Sequence, residues 1–345
     1  MVQDVSNCSV GPMSGEPRVC VVVPARNAVR TIDAAMDSVL AGQNVPLELI
    51  VVDDGSTDGT AERVDARMRS DPRVRMLRTP RPGSGPSVAR NLAIDAATGG
   101  WIALLDADDR FRPGRLARLV ALGERLEADI VGDNLNLVPA DMAVRMPSHE
   151  SSRPAFGEDG PPHLGGVDTA GFVENNMFHS DRMGWGYMKP LIRRRLLATT
   201  GIRYEPEVRI AEDYQLYFDL LRAGARFVYT AEALYDYTLR PGSLSRSLNP
   251  ADLERLCALA RRDAQSARAA GEHRLAGILD RRRHGIETFI LYGRFVDTLK
   301  ALRFGAALGL GLRSPVLWPL ILRYGRESLG KRLTGTRPST GTVRV

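Results

Sequence analysis

Apolar and polar positions alternate in regular blocks from Val19 to Val131. Val19 to Val23 is a short, β-branched apolar run stopped by Pro24, which reads as a buried strand. Thr31 to Leu40 switches to helical spacing, with Ile32, Ala35, Met36 and Val39 on one face. Leu47 to Val52 is a second apolar run ending in Asp53, Asp54 and Gly55, and Ser56 or Thr57 stands where it can cap a helix reaching about Arg69. Val74 to Leu77 predicts a third strand, and a glycine- and proline-rich loop leads into a helix from about Ser87 to Ala97. Trp101 to Leu105 predicts a fourth strand ending at Asp106, Arg115 to Leu126 a helix, and Ile130 with Val131 the start of another strand. Near-continuous apolar strands alternating with amphipathic helices predict an α/β fold with a parallel, doubly wound sheet. Ligands of such sheets sit at the carboxyl ends of the strands. The polar clusters at Pro24 to Asn27, Asp53 to Asp58 and Asp106 to Asp109 fall at those ends.

The pattern then changes. Residues 139–170 are rich in proline, glycine, serine and acids and predict a long excursion covering a site. Gly171 to Leu239 returns to mixed structure, and from Pro250 to about Leu333 the spacing is helical and arginine-rich. The expected organisation is a disordered tail over 1–16, an α/β domain over 17–248, a helical C-terminal region over 249–333 and a disordered tail over 334–345.

At 345 residues and 43% hydrophobic, the chain buries a substantial core, which excludes a disordered protein. Cys8, Cys20 and Cys257 are scattered and odd in number, a reduced cytosolic pattern rather than a disulfide framework. The N-terminus lacks the basic and apolar regions of a signal peptide. The best candidate for a spanning helix, Phe295 to Leu312, is broken by Asp297, Lys300 and Arg303.

The formal net charge is +6, and only Lys189, Lys300 and Lys331 among the 47 basic residues are lysines. Arginine suits phosphate recognition, although a GC-rich genome gives the same excess. At the C-terminus, Arg303, Arg313, Arg323, Arg326, Lys331, Arg332, Arg337 and Arg344 face a single acid, Glu327, while Leu317, Leu320, Ile321 and Tyr324 share a helical face. That combination suits an anionic membrane surface, and equally a helix packed on the protein's own core. A nucleic-acid binder is disfavoured, because the clustered carboxylates would repel phosphate in the absence of metal.

The strongest chemical signal is LLDADDRF, with Asp106, Asp108 and Asp109 directly after a buried strand. Carboxylates gathered there repel one another unless a cation neutralises them, and a hard divalent ion also accepts phosphate oxygens. The plainer alternative is a polar turn with a helix cap. In VVDDGSTDGT, Asp53 and Asp54 end a strand and Gly55 permits a tight turn, so a carboxylate is placed to accept from a base N–H or ribose hydroxyls. The first strand–helix turn, PARNAV, holds no glycine. That argues against a dinucleotide fingerprint or P-loop, and so against a dehydrogenase, kinase or nucleotidyltransferase. In GWGYMKP, Gly184 and Gly186 allow close backbone approach and the Trp185 indole suits stacking on a sugar or simple core packing, while Lys189 is placed for a phosphate or acceptor contact. Arg240 and Ser243 stand in a turn in YTLRPGSLSR.

Taken together, VVVPARN, VVDDGSTDGT and GPSVARNLAIDAATGGWIALLDADD resemble the inverting glycosyltransferases of family 2, in order and spacing, over roughly residues 18 to 245. The resemblance implies the GT-A fold over 17–248, a Rossmann-like nucleotide-binding domain with a mostly parallel central sheet, and a nucleotide-sugar donor; a non-catalytic nucleotide-sugar binding module is the alternative, which would keep Asp54 without needing Asp108 and Asp213. It implies that Pro24 and Asn27 form the first nucleotide-contacting loop, that Asp54 reads the base, and that Arg90 and Asn91 lie near nucleotide and sugar. Asp106 would lie toward the ribose and Asp108 would ligate Mg²⁺ or Mn²⁺ on the diphosphate. Glu212 and Asp213, in AEDYQLYFDLL, match the family's acidic pair, with Asp213 as general base and Glu212 orienting a loop or acceptor; the plainer alternative is a first-turn helix acid. Direct displacement requires a base, since a neutral hydroxyl is a poor nucleophile. Arg240 and Ser243 match a basic residue and serine near the diphosphate. Arg26 departs from the family, which has an aromatic there. More narrowly, GWGYMKP and the C-terminal helices resemble bacterial exopolysaccharide glucosyltransferases, including those of succinoglycan assembly. That implies UDP-glucose as donor, a polyprenyl-diphosphate-linked saccharide as acceptor, and peripheral attachment at the cytoplasmic face of the inner membrane, with a homodimer left open.

Overall fold

The computed structural model describes residues 18–139, 153–156, 166–178, 183–239 and 249–322. Both expected tails, most of the 139–170 excursion, and Arg240 and Ser243 lie outside them.

The N-terminal half alternates as its periodicity predicts. β1 (Val19–Ala25), α1 (Ile32–Leu40), β2 (Leu47–Asp53), α2 (Thr60–Ser70), β3 (Val74–Arg78), α3 (Pro86–Ala96) and β4 (Trp101–Leu104) follow in order. The short β5 (Arg110–Phe111), α4 (Arg115–Arg125), β6 (Ile130–Pro139) and β7 (Arg153–Pro154) come next. After them come α5 (Thr169–Glu174), β8 (Leu191–Arg193), α6 (Arg194–Thr200), α7 (Glu212–Arg222) and β9 (Phe227–Leu239). The C-terminal region is α8 (Pro250–Ala269), α9 (His273–Lys300) and α10 (Phe304–Arg313).

One sheet runs in the order β3-β2-β1-β4-β8-β6-β9-β5, with β7 beside β6. β3, β2, β1 and β4 pair in parallel, and β6 pairs in parallel with β9. β8 is antiparallel to both β4 and β6, so β6 and β9 point the same way as β4. The sheet is therefore mostly parallel, and all its main strands deliver their carboxyl ends to one edge.

Period-two alternation puts successive residues of β1 on opposite faces. Val19, Val21 and Val23 pack with α1, α2 and α4, whereas Cys20 and Val22 pack with α3, α7 and parts of α8 and α9. Ile32, Ala35, Met36 and Val39 are the buried face of α1, as the spacing predicts. A third cluster joins Leu253, Leu256 and Ile286 of α8 and α9 to Val208 and Ile210, just ahead of α7.

Two local expectations are corrected. Pro24 does not stop β1, which continues to Ala25 in register with Asp53. Its missing N–H faces the side where β4 has already ended at Leu104. Neither Ser56 nor Thr57 caps α2; Gly59 holds the cap position and Asp58 accepts from the Thr60 N–H. Of the two readings open for Leu317 and Leu320, packing on the protein's own core holds, since both are buried; the exposed apolar residues of this region are others, chiefly Phe304, Leu308 and Leu312 on α10. Among the described residues no single helix is long and apolar enough to cross a membrane.

Candidate active site

The loops at the ends of β1 and β2 are tied to each other. Asn27 takes a left-handed backbone (φ 51°), tolerable for asparagine. Its N–H donates to Ser56 Oγ at 3.0 Å, and its Oδ1 accepts from the Thr57 N–H at 2.9 Å. Buried Asp54 accepts from Thr79 Oγ1 (2.7 Å) and from the N–H groups of Ser84 (2.8 Å) and Gly85 (2.9 Å). It thereby draws the loop after β3 across the strand ends. Gly55 makes room for that loop: it sits at φ 75°, and a Cβ there would stand 2.5 Å from Pro82 Cβ. Arg26 lays its guanidinium against Gly83 in the same loop.

The charged centre is assembled from four separate elements. Lys189, buried just ahead of β8, places Nζ 2.9 Å from Asp106 Oδ2 and 2.6 Å from Asp213 Oδ2. Arg90, on α3, donates to Asp106 Oδ1 (2.8 Å) and Glu212 Oε1 (2.9 Å) and lies 3.7 Å from Asp213 Oδ1. The Tyr204 hydroxyl donates to Asp213 Oδ1 at 2.8 Å. Ala211, at φ 56°, precedes α7 and turns its first-turn acids toward this centre.

Burial disfavours the charge on Lys189 and Arg90, but the carboxylates around them outweigh it and hold both pKa values well above the ordinary range. Burial also opposes ionisation of Asp106, and Lys189 and Arg90 overcome it, leaving its carboxyl well below the usual range. Glu212 moves the other way, raised by burial and by the Asp213 charge. Asp109 is raised further by burial and by Asp108 and Asp106. Both Asp109 oxygens are taken, by the Tyr235 hydroxyl (2.8 Å) and the Thr238 N–H (2.7 Å), so it anchors β9.

A second buried pair fixes the Lys189 backbone. Arg115 and Asp133 are fully buried and joined by two hydrogen bonds, and Arg115 Nη2 also donates to the Lys189 carbonyl at 2.5 Å.

A cleft of about 770 Å³ opens over this centre. Pro24, Asn27 and Asp54 line one side, Asp106 and Asp108 the strand end, and Arg90, Lys189, Glu212 and Asp213 the floor. Trp185 does not line it: the indole packs against the core, while Gly184 and Gly186 face the cleft. Asn91 also stays outside, its amide gripping the Tyr204 backbone through bonds of 2.8 and 3.0 Å. Tyr204, Arg115, Asp133 and Arg282 are the residues of this region that sequence reasoning missed. No motif surrounds them, and each partner lies elsewhere in the chain.

Among the described residues no three His, Cys, Asp or Glu side chains are gathered to hold a metal ion. Asp108 lines the cleft, and its carbonyl is fixed by Thr238 Oγ1 at 2.6 Å. This donor set does not fit a dedicated protein cage. It does fit a divalent cation held by one carboxylate and by oxygens of a bound diphosphate, the usual habit of Mg²⁺.

Comparison with known proteins gives a consistent family. The sequence profile of glycosyl transferase family 2 matches residues 20–194. The succinoglycan biosynthesis protein ExoO of Rhizobium meliloti is 36% identical over 87% of this chain and 82% of its own length. The succinoglycan biosynthesis protein ExoU of the same organism is 34% identical over 88% and 85%. Among solved structures, S. aureus TarS 1-349 in complex with UDP-GlcNAc superposes with a TM-score of 0.60 over 76% of this chain and 72% of that one, at 23% identity, a likeness of fold.

Proposed function

The chain belongs to glycosyltransferase family 2, and from that premise we propose that it transfers a sugar, with inversion, from a UDP-sugar to a hydroxyl of a lipid-linked saccharide during exopolysaccharide assembly. The donor we infer is UDP-glucose and the acceptor a polyprenyl-diphosphate-linked oligosaccharide. Names among the relatives support the pathway class, and TarS, a protein of like fold, binds UDP-GlcNAc.

The observation that carries the mechanism is the placing of Asp213. Its carboxylate lies in the cleft, held on three sides by Lys189, Tyr204 and Arg90. In this reading Asp213 takes the acceptor's hydroxyl proton as that oxygen attacks the anomeric carbon, and the nucleoside diphosphate leaves from the opposite face. Tyr204 orients the carboxylate. Lys189 and Arg90 hold Asp106 ionised and keep the base aimed. Asp54 and Asn27 form the nucleotide side. Asp108, with the donor's own diphosphate oxygens, would hold Mg²⁺ or Mn²⁺, which supplies neutralisation of the leaving group's charge. Arg240 and Ser243 belong to this reading as diphosphate contacts, and Trp185 as a residue that shapes the glycine-flanked wall. The same reading keeps the 17–248 catalytic and 249–333 helical units, and puts the protein on the inner face of the cytoplasmic membrane through its C-terminal helices.

The test is release of UDP from a panel of UDP-sugars with a lipid extract as acceptor, for wild type, Asp108→Ala and Asp213→Asn. The expected result is turnover with UDP-glucose, lost on chelation and reduced ~10²-fold or more in both variants. Turnover unaffected by Asp213→Asn would remove the base assignment, and failure to bind UDP in the presence of metal would remove the donor assignment.

A further inference from the structure

α9 buries one stripe against the body of the molecule, made of Leu275, Ile278, Leu279, Ile286 and Phe289. Arg282 stands within that stripe, where the period calls for an apolar residue, and is 5% exposed. Its Nε and Nη1 are buried without a hydrogen-bond partner. Among the described residues no carboxylate forms an ion pair with it, in contrast to buried Arg90 and Arg115. Its guanidinium instead lies 4.0 Å from the centroid of the Tyr214 ring, next in sequence to Asp213. Arg282 also lines the cleft.

A buried guanidinium without counter-charge is costly, and stacking on one ring recovers only part of that cost. Such a group is explained when its counter-charge arrives with a ligand. In the glycosyltransferase reading the donor diphosphate would be met by Asp108 and its cation at the strand ends. Arg282 approaches from the far helical layer, against the residue that follows the base. In the proposed reaction the acceptor presents its hydroxyl to Asp213 within the same cleft that Arg282 lines.

We propose that Arg282 is an anion receiver in the acceptor half of the cleft, binding a phosphate or carboxylate oxygen of the acceptor through its planar fork. The C-terminal helical region then contributes directly to substrate recognition. This rests on the glycosyltransferase reading above.

The test uses the full-length chain with UDP and Mg²⁺ saturating the donor site. Inorganic phosphate and glucuronate are titrated calorimetrically into wild type, Arg282→Met and Arg282→Lys. Wild type is expected to bind at least one anion, Arg282→Met to bind it about tenfold more weakly or not at all, and Arg282→Lys to fall between. UDP affinity stays unchanged, and the thermal midpoint of Arg282→Met equals or exceeds wild type, because an uncompensated charge has been removed. Preference for phosphate points to a phosphorylated carrier, and preference for glucuronate to an acidic sugar. The proposal is overturned if neither anion binds wild type, if Arg282→Met binds as well as wild type, or if UDP affinity falls together with anion affinity. Failure of wild type to bind UDP sinks the donor reading instead, and the anion titration on UDP-free protein still decides the role of Arg282.

Discussion

Lys189 is shared between two carboxylates that belong to different halves of the proposed reaction, Asp106 at the strand end and Asp213 at the head of α7. Replacing it with methionine leaves both acids facing each other in a buried space. Lys189→Met is expected to lower kcat by ~10² to 10³, the usual loss for a preorganised charge at a reacting centre. The stability effect has a definite sign. Asp106 is depressed in the folded protein, so its contribution is present above the ordinary aspartate pKa and is lost as pH falls below it. The melting difference between wild type and Lys189→Met should therefore be largest near neutral pH and shrink below about pH 4, which calorimetry at both pH values reads. Tyr204→Phe removes one hydrogen bond to the Asp213 carboxylate and is expected to lower kcat about tenfold with donor KM unchanged. At this scale the sequence is legible where chemistry is contiguous. Asp54, Asp106, Asp108 and the Glu212–Asp213 pair announce themselves within short motifs. Tyr204 and the Arg115–Asp133 pair do not, because what gives them meaning is a partner brought near only by the fold.

Elements were legible from period and composition, and their exact ends were not. β1 runs on through Pro24 because a proline does no harm where the neighbouring strand has stopped, a fact about β4 that β1 cannot disclose. The cap of α2 shifts to Gly59 because Ser56 and Thr57 are engaged with Asn27 in joining the β1 and β2 loops. Helix propensity alone favours alanine over Gly123 on α4 by about 1 kcal/mol. Yet a Cβ at Gly123 would stand 2.5 Å from Trp101 Cη2 and 2.9 Å from Val131 Cγ2, both buried. Packing wins: Gly123→Ala should destabilise by roughly 1 to 3 kcal/mol in denaturant unfolding, and a gain in stability would contradict the contact. Where α7 meets α8, burial and the nearby Asp263 charge push Asp219 up to about 6. A raised carboxyl favours the folded state while protonated, so stability is lost as pH rises from about 4 to 6. Asp219→Asn keeps an acceptor for Gln215 and is expected to raise the thermal midpoint at pH 7.5 by an amount worth about 1 to 2 kcal/mol after discounting for partial exposure, with little effect at pH 4.

Across the whole molecule, exposed large apolar residues are distributed unevenly. Of nine among the described residues, eight fall between Leu299 and Leu322 and only Met68 lies elsewhere, so the patch is a local feature rather than ordinary surface. Phe304, Leu308 and Leu312 repeat every fourth residue on the outer face of α10, while Ala307 and Gly311 face inward. The chain then turns by 101° into the helix Pro315–Leu322, which exposes Val316, Trp318 and Leu322. Arg303 and Arg313 flank the stripe, and residues 301–322 contain no acid. The sequence indicated an amphipathic basic region and left Leu317 and Leu320 open between a membrane face and the protein's own core; both pack inward, and the outward stripe belongs to α10. An outward apolar stripe with cationic flanks suits the interface of an anionic bilayer, and would hold the open cleft close to a lipid-linked acceptor. Leu308→Asp combined with Leu312→Asp is therefore expected to reduce co-sedimentation with vesicles containing anionic phospholipid by at least ~10-fold, given about 1.5 to 3 kcal/mol for each leucine buried in an apolar phase. UDP binding, read in the same preparation, should not change, since neither leucine lines the cleft. Wild-type binding should weaken as salt rises or as neutral lipid replaces anionic lipid. Vesicle binding that survives the double substitution would move the attachment to another surface, and undiminished turnover on lipid-linked acceptor without vesicle binding would separate catalysis from the membrane altogether.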